Sequence, residues 1–195
     1  MRTIIAVAAL LAASPAFAQD QNAEGQEAGE TQAAQNGGTL PETSELSEPL
    51  IGNDGQPVGN MVLTDTPNGV LVRLQIMADK LPAGEHAMHF HEVGDCSDVE
   101  AFEKAGGHFD PTSSQHGFLV EDGPHAGDME NFIIAAGVEN DVWAFDPMVR
   151  FTEGEGALMD DDGSALIIHA GADDYESQPS GDSGDRIACA QITGQ

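Results

Sequence analysis

Histidine is the residue type in this sequence with the clearest capacity for chemistry. All seven histidines except His169 fall between residues 86 and 128, in the stretch HAMHFHEVGDCSDVEAFEKAGGHFDPTSSQHGFLVEDGPHAGD. Imidazole is the commonest metal ligand in proteins, and a run of histidines closed by a carboxylate suits borderline divalent ions. His89 and His91 stand two apart in a strand-like run, so a period-2 backbone turns both side chains to one face. His108, His116, His125 and Asp128 follow in a loop; three imidazoles and one carboxylate make a closed tetrahedral set suited to structural zinc. His169 ends the apolar run Ala165-Leu166-Ile167-Ile168 and can leave a strand end toward the same place.

The elements that must position these side chains are short. Pro49-Leu50-Ile51 precedes Asn53-Asp54-Gly55, Val58 to Thr64 precedes Pro67-Asn68-Gly69, and Val70 to Ile76 follows. Asp-Gly and Asn-Gly between apolar runs are hairpin signals. Val70-Leu71-Val72 is continuous and Arg73-Leu74-Gln75-Ile76 alternates, as in a strand covered on both faces at one end only. Further strands are expected at 86–92, 131–135, 141–145, 165–169 and 186–192. With no long helical period, these predict one all-β sandwich or barrel over residues 49–195. Residues 106–128 and 171–185 are too rich in Gly, Pro and Asp for strands and read as long functional loops.

Residues 1–18 combine Arg2, an apolar run of roughly a dozen residues and Ala16-Phe17-Ala18, the pattern of a secretory signal peptide cut before Gln19. No Cys follows the cut to take a lipid anchor, so a soluble periplasmic or secreted protein is expected. Residues 19–48 are acidic and Gln/Gly/Ala-rich, without Lys, Arg or aromatics, and read as a disordered tether. In an oxidising compartment the two cysteines, Cys96 and Cys189, are more often bridged than free. A bridge across their separation of 93 residues is worth roughly 4 to 5 kcal/mol in chain-entropy models. Six basic against 34 acidic residues argue against nucleic acid and anionic membrane as partners, since both require clustered Lys and Arg.

In order along the chain, HFHEVGDC, AGGHFDP, HGF, GPHAGD, LIIHAGADD and GDRIACAQI resemble the copper/zinc superoxide dismutases of the exported bacterial type, from about Leu50 to Ile192, with the G-x-x-x-G strand opening at Gly55 and Gly59. The resemblance implies an eight-stranded Greek-key β-barrel of immunoglobulin-like sandwich architecture with two long functional loops, an architecture already associated with this enzyme. It implies copper on His89, His91, His108 and His169, and zinc on His108, His116, His125 and Asp128, with His108 bridging both. His86 falls in a support position behind the copper site. Asp173 matches a carboxylate linking a copper histidine to a zinc histidine, here His89 and His116. Arg186 matches the arginine that docks superoxide, and Cys96 with Cys189 the intrasubunit disulfide.

The implied reaction is disproportionation of superoxide to dioxygen and hydrogen peroxide, with catalytic roles for Arg186 and for His108 as a proton carrier. The same barrel without turnover, a copper/zinc-binding module, is the alternative; Arg186 and a bridging His108 favour the enzyme. A zinc hydrolase fits less well, because four protein ligands leave no water position. The sequence leaves monomer and homodimer both open. It departs from the family it resembles in charge: where members of that family carry lysines before the arginine, this chain has Asp173, Asp174, Glu176, Asp182 and Asp185. Electrostatic steering, an established property of superoxide dismutases, is therefore expected to be weaker here, unless Arg73, Lys80, Lys104 or Arg150 lie near the site.

Overall fold

A computed structural model describes residues 44–194. The expected signal peptide and most of the expected tether lie outside the described residues. Nine strands form in chain order: β1 (Glu45–Gly52), β2 (Pro57–Thr66), β3 (Gly69–Ile76), β4 (Gly84–His86), β5 (Met88–His91), β6 (Phe132–Ile134), β7 (Asn140–Asp146), β8 (Ser164–His169) and β9 (Arg186–Ile192). Residues 45–48, read as the end of the tether, are corrected by this: they pair with β2 through Glu45↔Thr64 to Glu48↔Met61. Their acidic composition hid the first half of a strand, where of residues 45–48 only Leu46 is buried.

The main sheet runs β5-β8-β9-β1-β2-β3-β7, all antiparallel, and β4 pairs with β6. β4 and β5 are one run interrupted at Ala87, whose N–H donates to the Gly171 carbonyl while its own carbonyl accepts from His169 N–H. Counting that run once gives the eight strands expected, and the long crossings from β3 to β4 and from β7 to β8 give the Greek-key connection. The curled sheet buries Leu50, Met61, Leu63, Leu74, Phe90, Leu158 and Leu166 in one core. β3 alternates throughout, so Leu71 is half-buried on the outer face rather than covered. Gly59 is required where β2 crosses β3: a Cβ there would lie 2.3 Å from the Gln75 carbonyl oxygen.

β8 and β9 are buried on both faces, which explains their continuous apolar sequence. Outside them lies a second small core of Phe102, Ala105, Ala165, Ile167 and the Cys96–Cys189 disulfide, whose Cα atoms are 5.9 Å apart. The bridge thereby fastens the segment after β5 onto the back of the sheet. This fixes the segment that will contact Arg186.

Candidate metal centre

β5 sets the geometry. Met88 and Phe90 enter the main core, so His89 and His91 face the opposite side, fully buried, as the period-2 spacing requires. Both ends of the 106–128 loop then dock along this strand. Phe109 N–H donates to the Phe90 carbonyl at 2.8 Å, and Phe90 N–H donates to the Gly127 carbonyl at 2.9 Å. The approach is close enough that a Cβ on Gly127 would sit 2.5 Å from the Phe90 oxygen. His108 is bridged to His91 and Asp128 to His89, so the loop's candidate ligands are set beside those of the strand.

Two donor sets result, sharing His108. In the first, His89, His91, His108 and His169 each offer a ring nitrogen, and in the second His108, His116, His125 and Asp128 each offer one atom; within a set all atoms lie within 4.8 Å of one another. Nδ1 of His89 and Nε2 of His91, His108 and His169 are buried without any hydrogen-bond partner. Four orphaned imidazole nitrogens converging in one place carry a desolvation cost that a metal ion would remove. In the second set Asp128 Oδ1 lies 2.8, 3.0 and 3.3 Å from Nδ1 of His108, His116 and His125. The last of these is close without hydrogen-bonding geometry, leaving His125 Nδ1 also unpartnered. Both sets fit a metal ion through nitrogen and carboxylate donors, matching copper and zinc respectively.

The other ring nitrogens are held. Asp173, buried, faces His89 Nε2 through Oδ2 at 2.8 Å and His116 Nε2 through Oδ1 at 3.0 Å. It lies so close to Gly181 (φ 72) that no side chain fits there. His91 Nδ1 meets the Gly106 carbonyl at 3.0 Å and His169 Nδ1 the Gly184 carbonyl at 3.2 Å. His86 Nδ1 lies 2.8 Å from the His169 carbonyl and its Nε2 2.9 Å from that of Pro82, so it braces the backbone of His169 from behind. Arg186 is half-buried; its Nη1 donates to the Phe102 carbonyl at 2.6 Å and its Nη2 to that of Gly106 at 2.7 Å.

Burial and carboxylates push the titrations apart. Burial lowers His169 to about 3 and His108 to about 4, the latter despite its hydrogen bond to Asp128. His116 goes the other way: burial alone would lower it, but hydrogen bonds to Asp128 and Asp173 prevail and raise it to about 9. Asp128 and Asp173 are held well below the usual carboxylate range, since their histidine contacts outweigh burial.

The histidines, Asp128, Asp173 and Arg186 named from the sequence are brought to this region, while Cys96 and Cys189 pair in the second small core. Sequence reasoning missed the parts that tie the two loops together. Gln178 clamps His116 by accepting from its N–H at 2.9 Å and donating to its carbonyl at 2.8 Å. Asn131 does the same for Asp173, with both contacts at 2.8 Å. Lone amides in irregular segments give no periodic signal. Of the cations considered as compensation, none lines the cavity of about 430 Å³ in front of His91, His108 and His169, where Arg186 stands with Glu92 and Asp110. Arg73 pairs with Asp141 at 2.8 Å, Lys104 donates to Ser97 at 2.8 Å and Arg150 to the Pro147 and Val149 carbonyls.

Comparison with known proteins agrees with this geometry. The family profile described as copper/zinc superoxide dismutase (SODC) matches residues 58–192. "Superoxide dismutase [Cu-Zn] 2" of Aquifex aeolicus is 42% identical over 145 residues, covering 73% of this chain and 83% of the relative. The Caulobacter vibrioides "Superoxide dismutase [Cu-Zn]" is 38% identical, covering 71% and 80%. Among solved structures, a SOD-like protein from Bacillus subtilis superposes with a TM-score of 0.70 at 34% identity, covering 75% of this chain and 97% of that one. With two histidine-rich donor sets joined by His108 on this barrel and relatives of this similarity, the chain belongs to the copper/zinc superoxide dismutase family.

Proposed function

We propose that this protein disproportionates superoxide, with copper held by His89, His91, His108 and His169 and zinc by His108, His116, His125 and Asp128. The observation that carries the reading is the four orphaned imidazole nitrogens beside Arg186, the only Lys or Arg among the described residues that lines the cavity. Copper supplies the one-electron couple by which one superoxide is oxidised to dioxygen and a second, with two protons, is reduced to hydrogen peroxide, while zinc is structural.

The chain's own residues do the rest. Arg186 spends two of its N–H donors on carbonyls and keeps others for the anion. Burial lowers its pKa, yet a guanidinium remains charged at any working pH. His108, shared by both sets with its Nε2 turned to the cavity-side one, is the residue to hand a proton to the departing product. Asp173 keeps the His89 and His116 rings oriented through their distal nitrogens. The decisive experiment follows superoxide decay after a radical pulse, with protein loaded with copper and zinc and with metal-free protein. Rapid, copper-dependent decay is expected; full metal binding without it would leave a metal-holding module.

The native disulfide and bacterial relatives accord with an exported protein, and we propose that residues 1–18 direct it to the periplasm or medium. N-terminal sequencing should then begin at Gln19, and retained Met1 would refute this. We propose a homodimer joined through the outer face of β6 and β7, where Ile133, Trp143 and Phe145 are 72%, 60% and 42% exposed. Sedimentation should give a dimer that Trp143→Lys splits; a monomer at micromolar concentration would exclude it. The net charge of −28 leaves no attraction for nucleic acid or anionic lipid.

A further inference from the structure

One peptide group sits between the anion-docking arginine and a copper-set histidine. The Gly106 carbonyl accepts from Arg186 Nη2 at 2.7 Å and from His91 Nδ1 at 3.0 Å. The N–H of that same peptide unit belongs to Gly107, and it donates to Glu92 Oε1 at 3.0 Å. Glycine stands on both sides, and Gly106 is at φ 77, ψ −157, a conformation open to glycine alone. Nothing in the local sequence therefore prevents this plane from turning over and carrying its oxygen away from both partners.

We infer that Glu92 is a positioning residue that locks the Gly106–Gly107 peptide plane and thereby orients Arg186 and His91 together. Its side chain packs directly on Gly106, since a Cβ there would lie 2.6 Å from Glu92 Oε1. Its own N–H donates to the Gly107 carbonyl at 3.0 Å, so the residue grips Gly107 from two sides. Glu92 also lines the cavity, where its charge opposes an incoming anion. The bland role for an exposed cavity-edge carboxylate is electrostatic only, and the two roles predict opposite behaviour in a pair of variants. The inference rests on the superoxide reading for its kinetic consequences, but the lock itself needs no metal.

Glu92→Asp keeps the charge and is one methylene too short to hold the Gly107 N–H. Glu92→Gln keeps an acceptor and removes the charge. In E92D, Gly107 amide exchange in the metal-free protein should speed up about tenfold, and azide affinity and kcat/KM of the loaded enzyme should each fall about tenfold, as for other partners that orient metal ligands. In E92Q, Gly107 exchange should stay as in the wild type and kcat/KM at low salt should rise about twofold, the effect of one charge seen through solvent. E92D indistinguishable from wild type in exchange and azide affinity would overturn the lock. Wild-type protein lacking copper-dependent superoxide decay would instead refute the proposed function, with Gly107 exchange still reporting on Glu92.

Discussion

Replacing Asp173 by Asn changes a buried carboxylate that serves two imidazoles at once, His89 Nε2 at 2.8 Å and His116 Nε2 at 3.0 Å. An amide offers one oxygen, so one of the two rings must face an N–H₂ group instead. A hydrogen bond to a charged group contributes about 1.5 to 3 kcal/mol. Only the share that differs between metal-bound and metal-free states reaches the affinity, and partners of this kind change it about 10- to 100-fold. There is an opposing effect. In metal-free protein His116 is raised to about 9, in part by Asp173, so at pH 7 zinc must displace a proton from it. Losing Asp173 weakens that competition and offsets part of the damage at pH 7, whereas above pH 9 the proton competes progressively less in the wild type and the loss approaches its full size. Competition against a chromophoric chelator should therefore show a deficit for D173N that is small at pH 7 and widens to at least tenfold at pH 9.5. A zinc affinity equal to wild type at pH 9.5, or a deficit that shrinks with rising pH, would refute the reasoning.

The same titration predicts that zinc binding at pH 7 releases about one proton from His116, measurable by calorimetry in buffers of different ionisation enthalpy; no release would be inconsistent with its raised pKa. Asp146, buried with Oδ2 unpartnered, is pushed up to about 7 by burial. Between its unfolded value near 4 and 7 the folded form keeps a proton that the unfolded chain releases. Stability of the metal-free protein should thus fall as pH rises through this window, by at most about 4 kcal/mol, and D146N should flatten the slope in denaturant titrations. Removing the disulfide with C96S/C189S should cost about 4 to 5 kcal/mol, with an unchanged denaturation midpoint as the contrary result. The superoxide rate should change little or rise with ionic strength, because Glu92, Asp110 and the acidic 171–185 loop surround Arg186; a steep fall between low and physiological salt would show effective steering after all.

The sequence by itself determined the donor types and part of their geometry. Two-residue spacing put His89 and His91 on one face because strand geometry is local. The closed set of His108, His116, His125 and Asp128 could be named as zinc-like from composition, and the family motifs then assigned every remaining histidine. The outer strands and hairpin turns were legible for the same local reason, whereas Glu45 to Glu48 were not, since only Leu46 of that segment is buried and charged side chains masked its pairing. Tertiary structure alone decided what converges. His108 reaches both donor sets because the loop's ends dock on β5, and Gln178 and Asn131 join loops separated by 62 and 42 residues. It also decided that Arg73, Lys104 and Arg150 are spent elsewhere, and that the Gly106–Gly107 peptide faces Arg186, His91 and Glu92 together. Those contacts depend on loop closure across the barrel, and no local periodicity encodes which distant groups meet when it closes.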